Sequence, residues 1–532
     1  MLKSASGRWT AVFFAVLALV GLLAAGDYGL PLDGPSEQGI LQENLKEYAV
    51  LLLGENSAAA RGYDELQIDR ITESIEMDHG QAAYYLAAPL LPLRENDPET
   101  FTALWQGYTW LWFMAAVLAV YGLGRALGLT RTMACAAALM LYLSPRFFAE
   151  GHYNNKDIVL MALSLCTITA GARFLQKPAL WRGILFAAAG ALAANTRIIG
   201  LFVFGVMGAV ILVSFAARRL LSRRMALTIA AGGAAFLLLF ALVTPAFLAN
   251  PAGYVSHVLH NAAAFSRWTG LVLFKGFAYD PSAGQPLPHS YLPTMIALTV
   301  PVWVLALAVI GGAYAVVLLF TKDARRPVIA ALLIVLLAPL FYAVLAQPLM
   351  YNGWRHFYFL YGPIVAFAAL GLRLLYLQLV KSRWGKAAGA SALALLLAYQ
   401  GAGIALNHPY QYAYYNELAG GVEQTFELDY WEVSTLNAMQ TLAQTQTRNR
   451  ELPLTLGGGD PLSLFSLNQS VSMLPAALRA QMSVTNAPDA PYLFQNSTYA
   501  AIYQTEPGAE YRALFTLQSY GNALCTVYER GE

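Results

Sequence analysis

Residues 132–172 read TMACAAALMLYLSPRFFAEGHYNNKDIVLMALSLCTITAGA, which is two apolar runs separated by a polar stretch at 144–157. With their flanking residues, at about 130–145 and 157–174, the runs approach the length that a helix needs to cross a membrane, about 20 residues for roughly 30 Å of hydrocarbon. A simple connection between two spans could be shorter and less polar. The pattern predicts two membrane helices joined by a segment that has a function of its own.

The rest of the chain is equally apolar. It has 532 residues, of which 58% are hydrophobic and 12% charged, and its mean hydropathy is +0.49. Soluble domains carry about a quarter charged residues, so the composition predicts a membrane protein. A net charge of +2 argues against a nucleic-acid partner. Three scattered cysteines are too few for a disulfide framework or a metal cage.

We predict an α-helical polytopic membrane protein with about 11 transmembrane helices. The apolar stretches long enough to span lie at about 9–26, 106–124, 130–145, 157–174, 180–195, 198–217, 225–248, 293–320, 327–346, 358–379 and 386–406. An alternative interpretation of the first stretch is a cleaved signal peptide, because LLAAG at 22–26 ends in small residues.

The distribution of basic residues predicts the orientation. If the N-terminus is cytoplasmic, the inner segments hold 17 of the 33 basic residues, in agreement with the positive-inside rule. They are Lys3, Arg8, Arg125, Arg131, Arg173, Lys177, Arg182, Arg218, Arg219, Arg223, Arg224, Lys322, Arg325, Arg326, Lys381, Arg383 and Lys386. The short outer loops hold only Arg146, Lys156, Arg197, Arg267, Lys275 and Arg355. The cytoplasmic face therefore consists of tight basic turns, and function is expected on the outer face.

Two larger outer pieces follow from this topology. The loop at 27–105 contains a helical pattern at 39–54 and a Tyr-rich segment at 81–93 that suits a helix lying along the membrane surface. Residues 407–532 are predicted to form a small extracytoplasmic α/β domain, with a helix near 433–449, a strand before the Gly-rich turn at 457–459, and strands at 499–505, 511–521 and 523–531. The predicted domains are thus 1–406 and 407–532.

Polar residues cluster where the spans reach the outer face. Asp27, Asp33 and Glu37 follow the first span, the stretch at 144–157 follows the third, and Arg197 follows the fifth. Arg355 and His356 follow the ninth, and His257, His260, Lys275 and His289 precede the eighth. Charges beside hydrocarbon normally pair, face a cavity or carry function. A single one can be an interfacial anchor or a helix cap, but the whole set predicts one charged rim.

Carboxylates and cations together suit the transfer of a sugar from a lipid phosphate to a hydroxyl. A carboxylate accepts the proton of the acceptor hydroxyl, and cations stabilise the charge that grows on the leaving phosphate. A helical bundle supplies an apolar groove for the isoprenoid tail of such a donor.

The layout resembles the GT-C superfamily of membrane glycosyltransferases, in particular the protein O-mannosyltransferases and the bacterial aminoarabinose transferase of lipid A. The similar segments are PLDGPSEQGILQENLKEY at 31–48, SPRFFAEGHYNNKD at 144–157, and YNGWRHFYFLY at 351–361 together with HPYQYAYYNELAGG at 408–421 and FELDYWEVS at 426–434. The first departs from the Asp-Glu pair common in those families, because Gly34 stands in the second position.

This resemblance implies an inverting glycosyltransferase of the bacterial plasma membrane that uses a polyprenyl-phosphate sugar on the outer face. Its catalytic base would be the carboxylate of Asp33, with Glu37 as the alternative. The donor phosphate and sugar would be bound by Arg146, His152, Asn154, Asn155, Lys156, Asp157, Arg197, Arg355 and His356. The implied partners are the lipid-linked donor, membrane lipids and a glycan, lipid or protein acceptor.

Other interpretations remain open. Asn155 or Asp157 would cap the fourth span if the polar stretch were only structural, and Arg355 would be an interfacial anchor. A transporter is the main functional alternative, although no internal repeat or acid within a span supports it. A non-catalytic protein that binds lipid-linked glycans, or a glycan polymerase or ligase, is also possible. No metal motif is evident, so no metal is predicted as obligatory; a divalent ion on Asp33, Glu37, Asp157 and nearby histidines is an alternative.

Overall fold

The computed structural model describes residues 5–263, 268–446 and 452–531. Lys3 and Arg267 of the charge pattern lie outside these ranges. The first helices are α1 (Ala5–Leu23), α2 (Gly34–Leu53), α3 (Ala58–Glu65), α4 (Leu93–Asn96), α5 (Pro98–Ala126), α6 (Arg131–Tyr142), α7 (Pro145–Tyr153), α8 (Asp157–Gln176), α9 (Leu180–Thr196), α10 (Ile199–Ala217), α11 (Arg223–Val243), α12 (Pro245–Ala249) and α13 (Pro251–Ala263).

A short antiparallel hairpin, β1 (Val272–Phe274) and β2 (Phe277–Tyr279), precedes the second group of helices. These are α14 (Tyr291–Thr299), α15 (Val302–Leu319), α16 (Arg326–Ala346), α17 (Tyr361–Leu379) and α18 (Arg383–Leu406). Single 3₁₀ turns lie at Ala82–Tyr84, Ala88–Leu90, Pro281–Ala283, Arg355–Leu360 and Gln411–Ala413. The C-terminal elements are α19 (Ser434–Gln446), β3 (Leu454–Gly458), α20 (Pro461–Ser472), α21 (Ala476–Arg479), β4 (Met482–Thr485), β5 (Tyr492–Asn496), α22 (Ser497–Tyr503), β6 (Tyr511–Ser519) and β7 (Asn522–Arg530).

The chain forms a polytopic helical bundle, as the sequence predicted. Within the described residues, eight helices are long and apolar enough to cross a membrane, and the bent pair α6–α7 raises this number to nine if it is one span. The two remaining predicted spans coincide with α1, whose apolar part is Gly7–Leu23, and with α9, which has 17 residues. A helix therefore lies at each of the eleven predicted stretches, but three of them are shorter or bent.

The polar stretch at 144–157 begins with a sharp bend. α6 and α7 meet at 71°, and Pro145 occupies the first turn of α7. A residue that precedes proline is disfavoured in the α conformation, and Ser144 is indeed extended, with φ −79° and ψ 111°. The bend turns α7 inward, so that all nine of its residues are buried.

Close backbone packing joins α15 to α17. A Cβ atom on Gly311 would lie 1.8 Å from the Phe367 carbonyl oxygen, and one on Gly371 would lie 2.1 Å from the Leu307 carbonyl oxygen. Small residues permit such contact between apolar helices. The pair fixes α17 in the bundle, and the N-terminal end of α17 carries the 3₁₀ turn that begins at Arg355.

The first outer loop agrees with the prediction in part. α2 forms where the helical pattern predicted it. The segment at 81–93 is not one surface helix, because Pro89 and Pro92 interrupt it and leave two 3₁₀ turns followed by α4.

The C-terminal part contains the predicted small α/β unit. Its five-stranded sheet has the order β4-β3-β5-β7-β6, in which β3 is parallel to β4 and β5, and β7 is antiparallel to β5 and β6. The predicted strand at 499–505 was wrong: those residues belong mostly to α22, where the Asn496 side chain accepts a hydrogen bond from the Thr498 N–H and caps the helix. The boundary at 406/407 stays a prediction.

Candidate active site

A small cavity lies where the start of α2, the start of α8, the end of α9 and the turn at 355–360 meet. Its charged lining residues are three acids and three cations: Asp33, Glu37, Asp157, Lys156, Arg197 and Arg355. Pro31, Gly34, Tyr153, Asn154, Asn155 and Trp431 complete the wall. The structure therefore brings together eight of the eleven residues that the sequence predicted for the site.

The six charges form three pairs. Asp33 Oδ2 lies 2.5 Å from Arg355 Nη1, Glu37 Oε1 lies 3.3 Å from Lys156 Nζ, and Asp157 Oδ1 lies 2.9 Å from Arg197 Nη2. Five of the six side chains are at least four-fifths buried. Buried charges of this kind require partners, and the pairing makes the cavity neutral overall. An anionic ligand would have to displace a carboxylate from its cation.

Asp33 is the most accessible of these charges. Its side chain is 38% exposed, against 12% for Glu37 and 1% for Asp157. It stands immediately before α2, and Glu37 lies one turn later on the same helix. Glu37 also accepts a hydrogen bond of 2.6 Å from Gln81 Nε2. Both carboxylates predicted as the catalytic base thus reach the cavity, and Asp33 is the one that an acceptor can approach from outside.

The two asparagines of the polar stretch have different surroundings. Asn154 Oδ1 accepts hydrogen bonds from the N–H groups of Lys156 and Asp157, and its Nδ2 donates to Glu150 and Asp157. It therefore organises the start of α8. The sequence had suggested this capping role for Asn155 or Asp157. Asn155 is half-buried and lines the cavity.

Lys156 is buried in the loop before α8. Burial lowers the pKa of its ammonium group, and the nearby Glu37 carboxylate opposes that change. The ammonium group is a strong donor in a desolvated site, where its attraction for an anion is larger than in water.

Arg355 is held by aromatic residues as well as by Asp33. Its Nη2 donates to the Tyr430 hydroxyl over 2.9 Å. Its guanidinium carbon lies 5.0 Å from the centres of the Tyr351 and Tyr430 rings and 4.9 Å from that of Trp431. This geometry is that of a cation–π contact. Arg355 is 5% exposed, which does not suit an anchor that reaches lipid headgroups.

Arg146 and His152 do not line this cavity. Arg146 is fully buried in α7, with its guanidinium carbon 4.2 Å from the centre of the Tyr412 ring. His152 is stacked between Tyr28 and Trp110, at centroid distances of 4.5 and 4.4 Å. The inward turn of α7 places both residues in the protein interior, so we see no geometric basis for their predicted contact with the donor.

His356 faces a different space, an apolar groove of about 500 Å³. The apolar part of its wall comprises Ile198, Ile199, Phe202, Val258, Ala262, Ala338, Pro339, Tyr342, Pro348, Leu349, Phe357 and Phe359. Its polar residues are Asp78, His79, Arg197, Asn261 and His356. Arg197 also lines the charged cavity, and it is therefore the residue at which the groove and the cavity meet.

Among the described residues, the remaining outer cations and histidines of the sequence pattern do not line the charged cavity. His257 contacts Asp78 at 3.6 Å, at the groove. His289 Nδ1 lies 2.5 Å from the Val344 carbonyl oxygen, and Lys275 lies over the Phe274 ring. Neither of the last two lines the groove or the cavity.

Sequence reasoning missed several residues at the site. Trp431 and Tyr153 line the cavity, Tyr430 contacts Arg355, and Gln81 contacts Glu37. Glu150 accepts hydrogen bonds from Tyr358 and Trp431. The available signal was FELDYWEVS at 426–434, in which acids alternate with large apolar residues, a pattern that suits a buried polar segment.

A metal centre is not evident in the part of the chain that the structure describes. No group of three or more His, Cys, Asp or Glu side chains there is placed to hold a metal ion. Each carboxylate that we considered as a ligand is instead paired with a cation.

The helices that carry this site resemble a known family. Residues 94–260 match the family model of the dolichyl-phosphate-mannose-protein mannosyltransferases. The resemblance predicted from the sequence is thereby confirmed for 167 of 532 residues, from α4 to α13. The mannosyltransferase-like region includes Lys156, Asp157 and Arg197, whereas Asp33, Glu37 and Arg355 lie outside it. No curated protein sequence matches the chain.

Solved membrane glycosyltransferases have similar architectures. ArnT from Cupriavidus metallidurans in the apo state is 13% identical with a TM-score of 0.48, and the alignment covers 99% of this chain and 98% of ArnT. The oligosaccharyltransferase AglB from Archaeoglobus fulgidus, in complex with an inhibitory peptide and a dolichol-phosphate, is 12% identical with a TM-score of 0.49, at 99% and 75% coverage. The arabinofuranosyltransferase AftD from Mycobacteria is 14% identical with a TM-score of 0.44, at 100% and 40% coverage. Similarities of this size do not identify a substrate.

Proposed function

We propose that the protein is an inverting glycosyltransferase that moves a sugar from a polyprenyl-phosphate donor to an acceptor hydroxyl. The observation that carries this proposal is the double position of Arg197, which lines both the apolar groove and the charged cavity. A ligand with an isoprenoid tail, a phosphate and a sugar would occupy the groove, the junction and the cavity in that order. The family description names dolichyl-phosphate-mannose, so a polyprenyl-phosphate mannose is the first donor to test.

The members of the charge pairs would have different roles in binding and transfer. The phosphate would take Arg197 and Arg355 from Asp157 and Asp33, and the guanidinium fork suits phosphate oxygens. Release of Asp33 from Arg355 would leave a free carboxylate at the accessible side of the cavity. Substrate binding itself would therefore produce the base.

In the transfer step, Asp33 accepts the proton of the acceptor hydroxyl, and the oxygen of that hydroxyl attacks the anomeric carbon of the sugar. The bond between that carbon and the phosphate oxygen breaks, and the polyprenyl phosphate leaves with the electron pair. Lys156, Arg197 and Arg355 stabilise the negative charge that develops on the leaving phosphate. Attack from the side opposite the leaving group inverts the anomeric centre. The proposed residues supply each role without an obligatory divalent ion.

The orientation is part of the proposal. The basic turns at the other end of the bundle would lie in the cytoplasm, and the cavity and the C-terminal sheet would lie on the extracytoplasmic side of a bacterial plasma membrane. The acceptor, whether glycan, lipid or protein, would then approach from that side.

The experiment measures binding and transfer in protein reconstituted in nanodiscs, with polyprenyl phosphate as the binding probe and polyprenyl-phosphate mannose as the donor. Arg197→Met should weaken polyprenyl phosphate binding by about tenfold or more, because it removes a buried charge partner of the phosphate. Arg182→Met, at the opposite end of α9, is the matched control and should bind normally. Binding without transfer to any acceptor would favour the non-catalytic alternative, and absence of both would reject the proposal.

A further inference from the structure

The segment 426–434, FELDYWEVS, runs between the C-terminal sheet and the charged cavity, and we call it the strap. Two of its three acids, Asp429 and Glu432, bond residues at the end of the strap or directly after it. The third, Glu427, accepts hydrogen bonds from Leu273, Asn352 and Gly353. The Asp429 carboxylate accepts hydrogen bonds of 3.2 Å from the N–H groups of Val433 and Ser434. The Thr498 hydroxyl accepts from the N–H groups of Leu428 and Asp429. The strap is therefore a shaped segment with its own internal bonds.

The sheet holds the strap at a particular place. From β3 the chain continues to β4 on one side of it and then to β5 on its other side. The order in which strands are added therefore changes direction between β3 and β5. In open α/β sheets, ligands bind beyond the carboxyl ends of the strands at such a reversal. Here Asn496, the last residue of β5, donates to the Asp429 carbonyl oxygen, and Tyr499 donates to the Tyr430 carbonyl oxygen. The strap therefore contacts the sheet at the carboxyl end of β5 and the start of α22.

The opposite side of the strap reaches the cavity through Tyr430 and Trp431. The Tyr430 hydroxyl accepts a hydrogen bond from Arg355, and both rings lie about 5 Å from the guanidinium carbon. Trp431 Nε1 donates to Glu150 Oε1 over 2.9 Å. The Trp431 carbonyl oxygen accepts from the N–H of Leu32 over 3.0 Å, directly before Asp33. Both members of the Asp33–Arg355 pair are thus in contact with the strap or one residue from it.

We propose that Tyr430 and Trp431 are positioning residues that fix Arg355 and the backbone before Asp33, so that the C-terminal sheet is a working part of the transfer site. This inference rests on the proposed function for its catalytic meaning. Its physical content, the coupling of Tyr430 to Arg355, can be measured separately. A guanidinium group in a desolvated aromatic setting has few rotamers that keep all its contacts, so it is already oriented before the phosphate arrives.

The test is a double-mutant cycle between Tyr430→Phe and Arg355→Lys, with transfer from polyprenyl-phosphate mannose as the readout. Tyr430→Phe keeps the ring and removes only the hydroxyl, and we expect turnover to fall by about tenfold because a hydrogen bond to a buried charge is lost. In Arg355→Lys the same change should have little further effect, because lysine lacks the second nitrogen, which in Arg355 donates to the Tyr430 hydroxyl while the first bonds Asp33. The control is Tyr410→Phe, which should retain activity. The Tyr410 hydroxyl accepts a hydrogen bond from Asn437 Nδ2. Independent, multiplicative losses would overturn the inference.

A second measurement decides the case without catalysis. The same cycle, with Arg355→Met in place of Arg355→Lys, is followed by melting temperature in the absence of ligand. Coupled shifts support the contact, and additive shifts reject it. If wild-type protein neither binds polyprenyl phosphate nor transfers sugar, the proposed function fails, but the melting cycle still decides whether the strap positions Arg355. If wild-type transfers sugar and both cycles are additive, only the inference fails.

Discussion

Asp33 and Arg355 are 322 positions apart in the chain and form an ion pair of 2.5 Å at the end of the bundle. The pair joins the residue proposed as the base to one of those proposed to bind phosphate. A carboxylate oxygen that is bonded to a guanidinium group is not free to bond the acceptor hydroxyl. In the proposed function, the pair is a resting arrangement that the donor phosphate opens by competing for Arg355.

Replacement of the proposed base should separate chemistry from binding. Asp33→Asn should reduce transfer by about a hundredfold or more, because the acceptor proton has no carboxylate to receive it. Polyprenyl phosphate binding should be retained or tightened, since Arg355 loses its competitor. Rates from purified protein give the first value, and a binding titration gives the second. Asp64→Asn, which alters a surface ion pair with Lys46 in the same loop, should leave both unchanged. Near-normal turnover in Asp33→Asn together with loss of activity in Glu37→Gln would move the role to Glu37.

Arg355 should not tolerate lysine. The ammonium group cannot reproduce bidentate contact with phosphate oxygens, and it also loses the Tyr430 hydrogen bond. We expect Arg355→Lys to lower the transfer rate by about tenfold to a hundredfold. Arg61→Lys, at an exposed position on α3, is the matched substitution and should be neutral. A wild-type rate with lysine at 355 would show that bidentate contact by Arg355 is not needed, leaving Arg197 and Lys156 as the cations proposed to bind the phosphate.

The apolar groove should recognise the length of the lipid tail. Ala338→Trp places a large ring in the wall of the groove, next to Pro339, and should weaken binding of a long polyprenyl phosphate by about tenfold. Binding of a short-chain phosphate should change much less. Leu337→Trp, one residue earlier on α16 and outside the groove lining, controls for the added bulk. Equal losses for long and short chains would show that the tail lies elsewhere.

A buried carboxyl in the strap should make stability depend on pH. Burial raises the pKa of Glu427 to about 7, although Asn352 and the N–H groups of Leu273 and Gly353 donate hydrogen bonds to it. A carboxyl with a raised pKa binds more protons in the folded than in the unfolded state, so stability should fall as pH rises from about 4.5 to about 7. The melting temperature across this range measures the slope. Glu427→Gln should flatten it, and Glu510→Gln, at an exposed site, should not.

The orientation can be tested with a membrane-impermeant thiol reagent in intact cells. A cysteine at the exposed position of Asp489 in the C-terminal unit should react from outside, and one at the exposed position of Lys322 should not. The native Cys525 is unsuitable as a reporter because it is buried. Labelling at 322 and protection at 489 would reverse the topology.

The sequence indicated which charges would lie together where a charged residue directly adjoins the end of a span. Lys156, Asp157 and Arg197 all have this position, and the geometry of the bundle brings span ends together. The prediction failed where the local path of the chain decides the direction of a side chain. The 71° bend between α6 and α7 turns Arg146 and His152 into the interior, and no sequence period reports such an angle.

Long-range contacts were also beyond the sequence. Trp431 lines the cavity, although even Arg355, the charged lining residue nearest to it in sequence, is far away in the chain. Nothing in the local pattern of the strap indicates a contact with Arg355. His356 follows Arg355 directly but faces the groove instead of the cavity, because neighbouring residues of a 3₁₀ turn point in different directions.

The sheet order has a consequence for biosynthesis. β7 lies between β5 and β6, so the sheet cannot close until residue 530 has left the ribosome, roughly half a minute or more after synthesis began at about 5–20 residues per second. The helices that form the groove are translated well before that moment. The nascent protein would therefore have its lipid-facing surfaces, and the Tyr351 ring beside Arg355, before the sheet that contacts the strap was complete. Under the proposed function, competence for sugar transfer would arise only after translation of β7.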